Sequence, residues 1–400
     1  VDKQRRLERD VEAFAARRTG RESVFMPSGR IALYCALRAL LSPGDRILMS
    51  PVNDDVIFFV VLAAGLRPVA APLSATDGNI DVEAIPSQTW TEIRAVLTTN
   101  LYGLPDRMAA LRRRCDAHGL ALIEDVAHAI ETDVDGTPLG AFGEAAAFSL
   151  SKHVDAYRGG VLAVADPHLR GEIERVRAGI LAEPTIGRRI ADLAKPPAKA
   201  LLEAAGIMGR VRRARAAAAE RYVERPGGSH RMDLRPDALR RAIAAGPVLA
   251  AFDPWVRVDR HDYPVRPSIA DLNRILERLR GLDADRERRI HGVERLRREL
   301  DCVTPGARGA SPLPLFRVPL LVADREAAMA MLAARGVWVR YVYDPPLDDY
   351  AGPEFIAPSP APAAGRWWVR HALPIDPLVA DAALPVLRGL RAAPRYPAAP

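Results

Sequence analysis

Leu120-Ala121-Leu122-Ile123-Glu124-Asp125-Val126-Ala127-His128 is a short apolar run that ends in two acids and a histidine, and its reading decides the fold. Four consecutive apolar residues without polar alternation describe a strand buried on both faces, as in a parallel sheet covered by helices. Outward from it, the same pattern recurs at Arg46 to Met49, Arg67 to Ala71, Ala95 to Thr98, Ala145 to Phe148 and Val161 to Ala165. Between these runs lie Ile31 to Leu41, Asp55 to Ala64 and Arg107 to His118, with apolar residues at helical spacing. Strands alternating with helices from residue 24 to 165 predict an α/β architecture.

The rest of the chain reads differently. Residues 166 to 250 are rich in Ala, Arg and Glu, with breaks at Pro184, Lys195-Pro196-Pro197 and Pro226-Gly227-Gly228, and predict helices joined by loops. Ile269, Leu272, Ile275, Leu276 and Leu279 share one face, which predicts a long helix from Ser268 to about Leu300. Leu313 to Leu390 reads as a small α+β unit. The expected division is a large domain over 1–265, with a helical insertion at about 170–255, and a small C-terminal domain over 266–400, in keeping with the tendency of cores to divide at this length.

Hydrophobic residues at 49% and charged residues at 27% place the chain among folded globular proteins rather than disordered ones. No apolar run reaches the length of a spanning helix, and the start leads into a charged helix rather than a signal-peptide core, so no membrane association and a cytoplasmic location are expected. The net charge of +7 comes from arginines that alternate with acids, as in Arg5-Arg6-Leu7-Glu8-Arg9-Asp10. That pattern does not predict a nucleic-acid partner. Cys35, Cys115 and Cys302 are far apart, so neither a disulfide framework nor a metal site is expected.

Three segments carry candidate chemistry. Pro27-Ser28-Gly29-Arg30-Ile31-Ala32-Leu33 is a small-residue turn running into a helix, whose free N–H groups suit a phosphate, although Ser28 as a plain N-cap accounts for it equally. Glu124 and Asp125 close a strand at the end where α/β proteins bind ligands; a carboxylate there would keep a pyridine nitrogen protonated, or Asp125 would cap a helix from Val126, with His128 a core histidine. Phe148-Ser149-Leu150-Ser151-Lys152 places a lysine just after an apolar strand, and Arg158-Gly159-Gly160 follows. Desolvated, that lysine can attack an aldehyde; otherwise it is a solvated surface lysine.

Read together, these segments make the run from Val11 to about Asp166 resemble the DegT/DnrJ/EryC1/StrS family of sugar aminotransferases. Ser28-Gly29-Arg30-Ile31-Ala32-Leu33 is similar to the family's phosphate turn, and Glu124-Asp125-Val126-Ala127-His128-Ala129 to its acidic motif. Lys152 and Gly159 keep the family's spacing between its Schiff-base lysine and its Gly-Gly. Supporting matches are Ala64 to Val69, Gly78-Asn79-Ile80-Asp81, Asn100-Leu101-Tyr102-Gly103-Leu104-Pro105, Gly336 to Leu347 and Leu373-Pro374-Ile375-Asp376.

The resemblance implies fold type I, with a mainly parallel seven-stranded sheet in the large domain, and pyridoxal 5'-phosphate (PLP) as cofactor. Lys152 would carry the cofactor as a Schiff base and Asp125 would face its ring nitrogen, these two being catalytic. Ser28, Gly29, Arg30, His128 and Ser149 would complete the cofactor site. It further implies a homodimer with a shared active site, and transfer of an amino group from an amino acid, glutamate in the family's usage, to a keto-sugar or related cyclic ketone.

Four departures accompany the resemblance. The chain opens only a short way before its first core helix, which reads as a truncated start. Pro51-Val52-Asn53-Asp54-Asp55 has no aromatic where the family stacks one on the cofactor ring, Arg30 replaces a threonine, and Tyr263-Pro264-Val265-Arg266 lacks the asparagine that the family lends between subunits. Two other readings stay open: a sugar dehydratase, in which the family puts histidine in place of the lysine (His153 is adjacent), and a non-catalytic binding or scaffolding relative.

Overall fold

The computed structural model describes residues 2–154, 156, 158–182, 230–257 and 263–396. Seven strands form one sheet: β1 (Glu22–Met26), β2 (Arg46–Met49), β3 (Arg67–Ala70), β4 (Ala95–Thr98), β5 (Ala121–Asp125), β6 (Ala145–Ser149) and β7 (Gly160–Val164). Their order across the sheet is β1-β7-β6-β5-β4-β2-β3. β7 pairs antiparallel with both β1 and β6, and the other pairs are parallel, so six strands point one way and β7 the other. The α/β architecture with a mainly parallel seven-stranded sheet is as expected. β1 was not among the anticipated strands: of its five residues only Val24, Phe25 and Met26 are apolar, a run too short to show a period.

Helices cover both faces, which is why the strands are apolar throughout. One face packs α2 (Gly29–Leu40), α3 (Asp55–Ala63) and helix Leu169–Ile180 around Phe58, Phe59 and Trp255. The other packs α1 (Asp2–Thr19), helix Met108–His118 and helix Ile269–Arg280 around Phe148, Leu272 and Ile275. The single helix expected from Ser268 to Leu300 is two, Ile269–Arg280 and Leu282–Glu299. They part at Gly281, a poor helix former, so that Leu279 and Leu282 both reach the core.

The C-terminal part has its own core, in which an antiparallel pair, Val318–Leu321 with Ala372–Ile375, packs on helices Leu282–Glu299, Arg325–Ala333 and Ala380–Leu387. A smaller cluster of Val52, Leu73, Leu101, Tyr102, Tyr343 and Trp368 joins it to the loops after β2, β3 and β4. Of the expected insertion at about 170–255, helices Leu169–Ile180 and Pro236–Ala244 are described; Pro184, Lys195-Pro196-Pro197 and Pro226-Gly227-Gly228 lie outside the described residues. No helix among the described residues is long and apolar enough to cross a membrane.

Parallel strands end together at one edge of a sheet, and an antiparallel strand begins there. Ser28 after β1, Asn53 after β2, Thr99 after β4, Asp125 at the end of β5, Ser149 at the end of β6 and Gly159 before β7 therefore meet at one edge. The loop after β4 is fixed by Asp106, whose buried carboxylate accepts hydrogen bonds from the backbone N–H groups of Ile80 (3.0 Å), Thr99 (2.9 Å) and Asn100 (3.0 Å). Asp106→Ala strands three buried donors. Denaturant unfolding is expected to show a loss on the order of 3 kcal/mol; a loss under about 0.5 kcal/mol, the usual scatter of surface substitutions, would refute this role.

Candidate active site

At this edge lies a cavity of about 550 Å³. Its floor is a close meeting of backbones. Gly159 pairs with Ser28 in a parallel bridge, and its N–H donates to the carbonyl of Pro27 at 2.9 Å. A Cβ on Gly160 would lie 2.6 Å from the carbonyl carbon of Ser28, and one on Gly29 would lie 2.8 Å from Cβ of Ser149. Gly159 has φ +99°, which disfavours any side chain. The small residues of both motifs thus bring the start of α2 against the ends of β6 and β7.

Ser28 caps α2: its Oγ accepts from the N–H of Ile31 at 3.3 Å and donates to the carbonyl of Tyr263 at 3.4 Å. It also lines the cavity, so the capping and binding readings coexist in one residue. Ser149 Oγ lies 3.0 Å from Ser151 Oγ, and both serines line the same wall. Arg30 is drawn aside: its guanidinium donates to the carbonyl of Val256 and lies over the Tyr263 ring, 5.2 Å from the centroid.

The two acids that end β5 separate, because successive side chains on a strand point to opposite faces. Glu124 turns away from the cavity and accepts N–H donors from Gly140 (2.8 Å), Phe142 (2.8 Å) and Gly143 (2.7 Å), holding the loop before β6. This corrects the expectation that both carboxylates face the crevice. Asp125 alone lines it, accepting from the N–H of Ala127 at 2.9 Å. No helix starts at Val126. Burial pushes the Asp125 carboxyl up to about 6, against the opposing pull of the Ala127 N–H and Lys152.

Lys152 is four-fifths buried, not a solvated surface lysine. Its Nζ lies 3.8 Å from Asp54 Oδ2 and 4.2 Å from the Tyr341 ring centroid. Asp54 Oδ1 meanwhile accepts from the N–H of Val56, capping α3, so one carboxylate fixes a helix end and faces the lysine. His128 is buried and stacked on Phe316, with ring centroids 4.6 Å apart. Burial first, then Lys152, hold His128 well below the usual imidazole range, so its ring is neutral.

Other residues at the site were not placed there by the sequence. Tyr341, within the matched Gly336 to Leu347 stretch, lines the cavity, and Phe316 lies beside Lys152 and His128; they supply the aromatic surroundings absent from 51–55. Tyr341 has φ 68°, a strained conformation for a bulky residue, held by the Tyr102 hydroxyl donating to its carbonyl at 2.7 Å. Arg231 pairs with buried Asp55 and donates to the carbonyls of Pro345 (2.7 Å), Asn53 (2.7 Å) and Tyr343 (2.9 Å), closing one wall. Arg158 stands beside the Gly-Gly and pairs with Asp271 at 3.4 Å. Its place next to that motif was the one available clue.

Residues 2–193 match the model of the DegT/DnrJ/EryC1/StrS aminotransferase family. GDP-perosamine synthase of Vibrio cholerae is 31% identical over 138 residues, 34% of this chain and 38% of that protein. A dTDP-3-amino-3,4,6-trideoxy-alpha-D-glucose transaminase of Streptomyces venezuelae is 32% identical over 168 residues, 41% of this chain and 44% of that protein. The matched region spans less than half the length of these relatives. The solved structure of an E. coli GDP-4-keto-6-deoxy-D-mannose-3-dehydratase with bound hydrated PLP covers 95% of this chain and 91% of its own, with a TM-score of 0.65 at 16% identity, a likeness of fold.

The raised Asp125 pKa sets a pH test. Its folded value lies above the ordinary carboxylate value of about 4, so the folded chain holds the proton longer and stability falls as pH rises from about 4 to about 6. In the cofactor-free chain, Asp125→Asn is expected to raise stability at pH 7.5 by on the order of 2 kcal/mol and to give no gain at pH 4. Thermal unfolding at the two pH values measures it; an equal effect at both would contradict it.

Proposed function

We infer that this chain, whose residues 2–193 match the DegT/DnrJ/EryC1/StrS aminotransferase family model, is a PLP-dependent aminotransferase that moves an amino group from an amino acid, glutamate as the first candidate, to a keto-sugar or related cyclic ketone. The observation that carries this reading is the meeting of Lys152, Asp125 and the Ser28-Gly29 turn in one cavity. The donor set fits the cofactor: an amine, a buried carboxylate and a serine-lined turn that exists because position 29 has no Cβ. Bound there, PLP would supply the electron sink that lets an amino acid lose its α-proton.

Each side chain then has a task that its surroundings support. Lys152 would hold the cofactor through Nζ and, once displaced, take and return the proton at that nitrogen. Asp54, 3.8 Å from the same Nζ, would help to orient the amine. Asp125, whose carboxyl is raised by burial, would gain a cationic partner in the ring nitrogen, and the pair would hold the proton there. Ser28 and Ser149, with the N-terminus of α2, would take the phosphate. Arg30 is already engaged by Val256, so it contributes positive charge beside the turn. Neutral His128 would offer the cofactor a ring face and a nitrogen. Exposed Arg340 at the cavity wall suits the carboxylate of the amino donor.

The dehydratase reading is less well supported, since His153 is absent from the cavity lining that Lys152 occupies. The aminotransferase reading takes the protein as a cytoplasmic homodimer with a shared site; three free, buried cysteines agree with a reducing compartment.

Purified chain given PLP is expected to turn yellow, and borohydride to fix the cofactor's mass on the peptide carrying Lys152, with Lys152→Ala colourless. A colourless wild-type preparation would instead favour a binding or scaffolding protein. Arg340→Ala is expected to raise KM for glutamate by about tenfold or more with kcat changed less, the pattern of lost ground-state binding. An unchanged KM in steady-state kinetics would remove Arg340 from the donor site.

A further inference from the structure

Next to the turn that carries Lys152 lies a buried polar group that the proposed reaction does not use. Glu131, His153 and Asp285 each bring one ligand atom to within 4.8 Å of the others. Glu131 and His153 are 3% and 4% exposed, and Asp285 9%. Nε2 of His153 lies 2.7 Å from the carbonyl oxygen of His128 and so carries the hydrogen, which leaves Nδ1 with its lone pair. That Nδ1 and Oε2 of Glu131 are buried atoms with no hydrogen-bond partner among the described residues. Buried polar atoms in native proteins nearly always have a partner. Here an oxygen of Glu131, whose carboxyl burial pushes up to about 8, and an imidazole lone pair are left over in one cluster.

We propose that Glu131, His153 and Asp285 form a structural site for a divalent transition-metal ion, with zinc the best match to its donors. One imidazole nitrogen and two carboxylate oxygens are ligands that zinc takes at about 2.0–2.2 Å, with water free to fill a fourth position. Those lengths put tetrahedral donors roughly 3.5 Å apart, so the three side chains would draw in slightly. Asp285 is held in place by Arg289 Nε at 2.7 Å and Arg288 Nη2 at 3.0 Å, which orient its carboxylate without using every lone pair. Arg18 and Arg286 also face Glu131. These guanidiniums oppose any cation, so the site disfavours magnesium and calcium, which rely on oxygen ligands and charge. It selects for a metal that gains from the nitrogen ligand. The bound ion would fix the His153 ring and, through the His128 carbonyl, the turn next to Lys152.

This site is independent of the transaminase reading and is tested without PLP. Full-length chain, stripped with a chelator and dialysed, is titrated with zinc and with magnesium by calorimetry, and metal content is measured by mass spectrometry. One zinc per chain is expected, bound at least about tenfold more tightly than magnesium. Zinc is also expected to raise the Tm. Glu131→Gln and His153→Gln should each weaken zinc binding by about tenfold or more, as loss of a ligand does. His291→Ala, which removes an exposed ring, should leave it unchanged. Glu131→Gln introduces an amide donor for the His153 lone pair, so it retains the fold even if His153→Gln does not, and its circular dichroism and Tm verify this. Less than about a fifth of a zinc per chain would overturn the proposal, as would stoichiometric zinc that folded Glu131→Gln binds as tightly as wild type.

Discussion

Between Ser28 and Gly160 two stretches of backbone lie so close that a single added carbon would sit 2.6 Å from its neighbour. That approach presses the N-terminus of α2 against the edge where β6 ends and β7 begins, and the rest of the site is arranged around it. Because β7 runs against its neighbours, its first residue lies at the edge where the parallel strands finish. The connection from β6 to β7 is thereby returned to that edge, with Lys152 on it. Were β7 parallel, the same connection would have to cross to the other end of the sheet.

Around this contact, burial does two kinds of electrostatic work. Asp125 and His128 are moved toward their neutral forms, which prepares a carboxyl that gains from a cationic partner and an imidazole that adds no charge. Glu124, the neighbour of Asp125 and also buried, is raised by burial as well, but three backbone donors occupy its oxygens. Two adjacent acids therefore have opposite duties, one structural and one facing the ligand space, through nothing more than the alternation of a strand. The C-terminal unit completes the site by bringing Tyr341 and Phe316 to Lys152 and His128. Tyr102, on the loop after β4, holds the strained backbone of Tyr341 in place. The sheet edge and the C-terminal unit are thus coupled at the residue nearest the lysine.

Much of this could be read from local pattern. β2, β4 and the bounds of α3 follow from continuous apolar runs and from helical spacing after a capping acid, since both are set by neighbours in sequence. Asp125, Ser149 and Lys152 could be singled out because they end or follow an apolar strand, where such sheets bind ligands, and Ser28 because a small-residue turn there runs into a helix. β1 escaped notice because only three of its five residues are apolar, too few to show a period, and the break at Gly281 because helical spacing continues across it. The position of Arg30 depended on Val256 and Tyr263, which no local pattern connects to it.

By itself, then, the sequence determined the α/β architecture, the strands that end at the site and the residue types placed on those ends, because each of these is a property of a few consecutive residues. Only the tertiary structure decided which of the two acids enters the cavity, that Asp54 faces Lys152, that Tyr341 and Arg231 close the walls, and that Phe316 lies beside the lysine. Those contacts join residues far apart in the chain, and their geometry is set by packing between layers. The physical reason is range: hydrogen bonding and side-chain periodicity act over a few residues, whereas the burial that shifts Asp125 and encloses Lys152 exists only once distant segments have excluded water together.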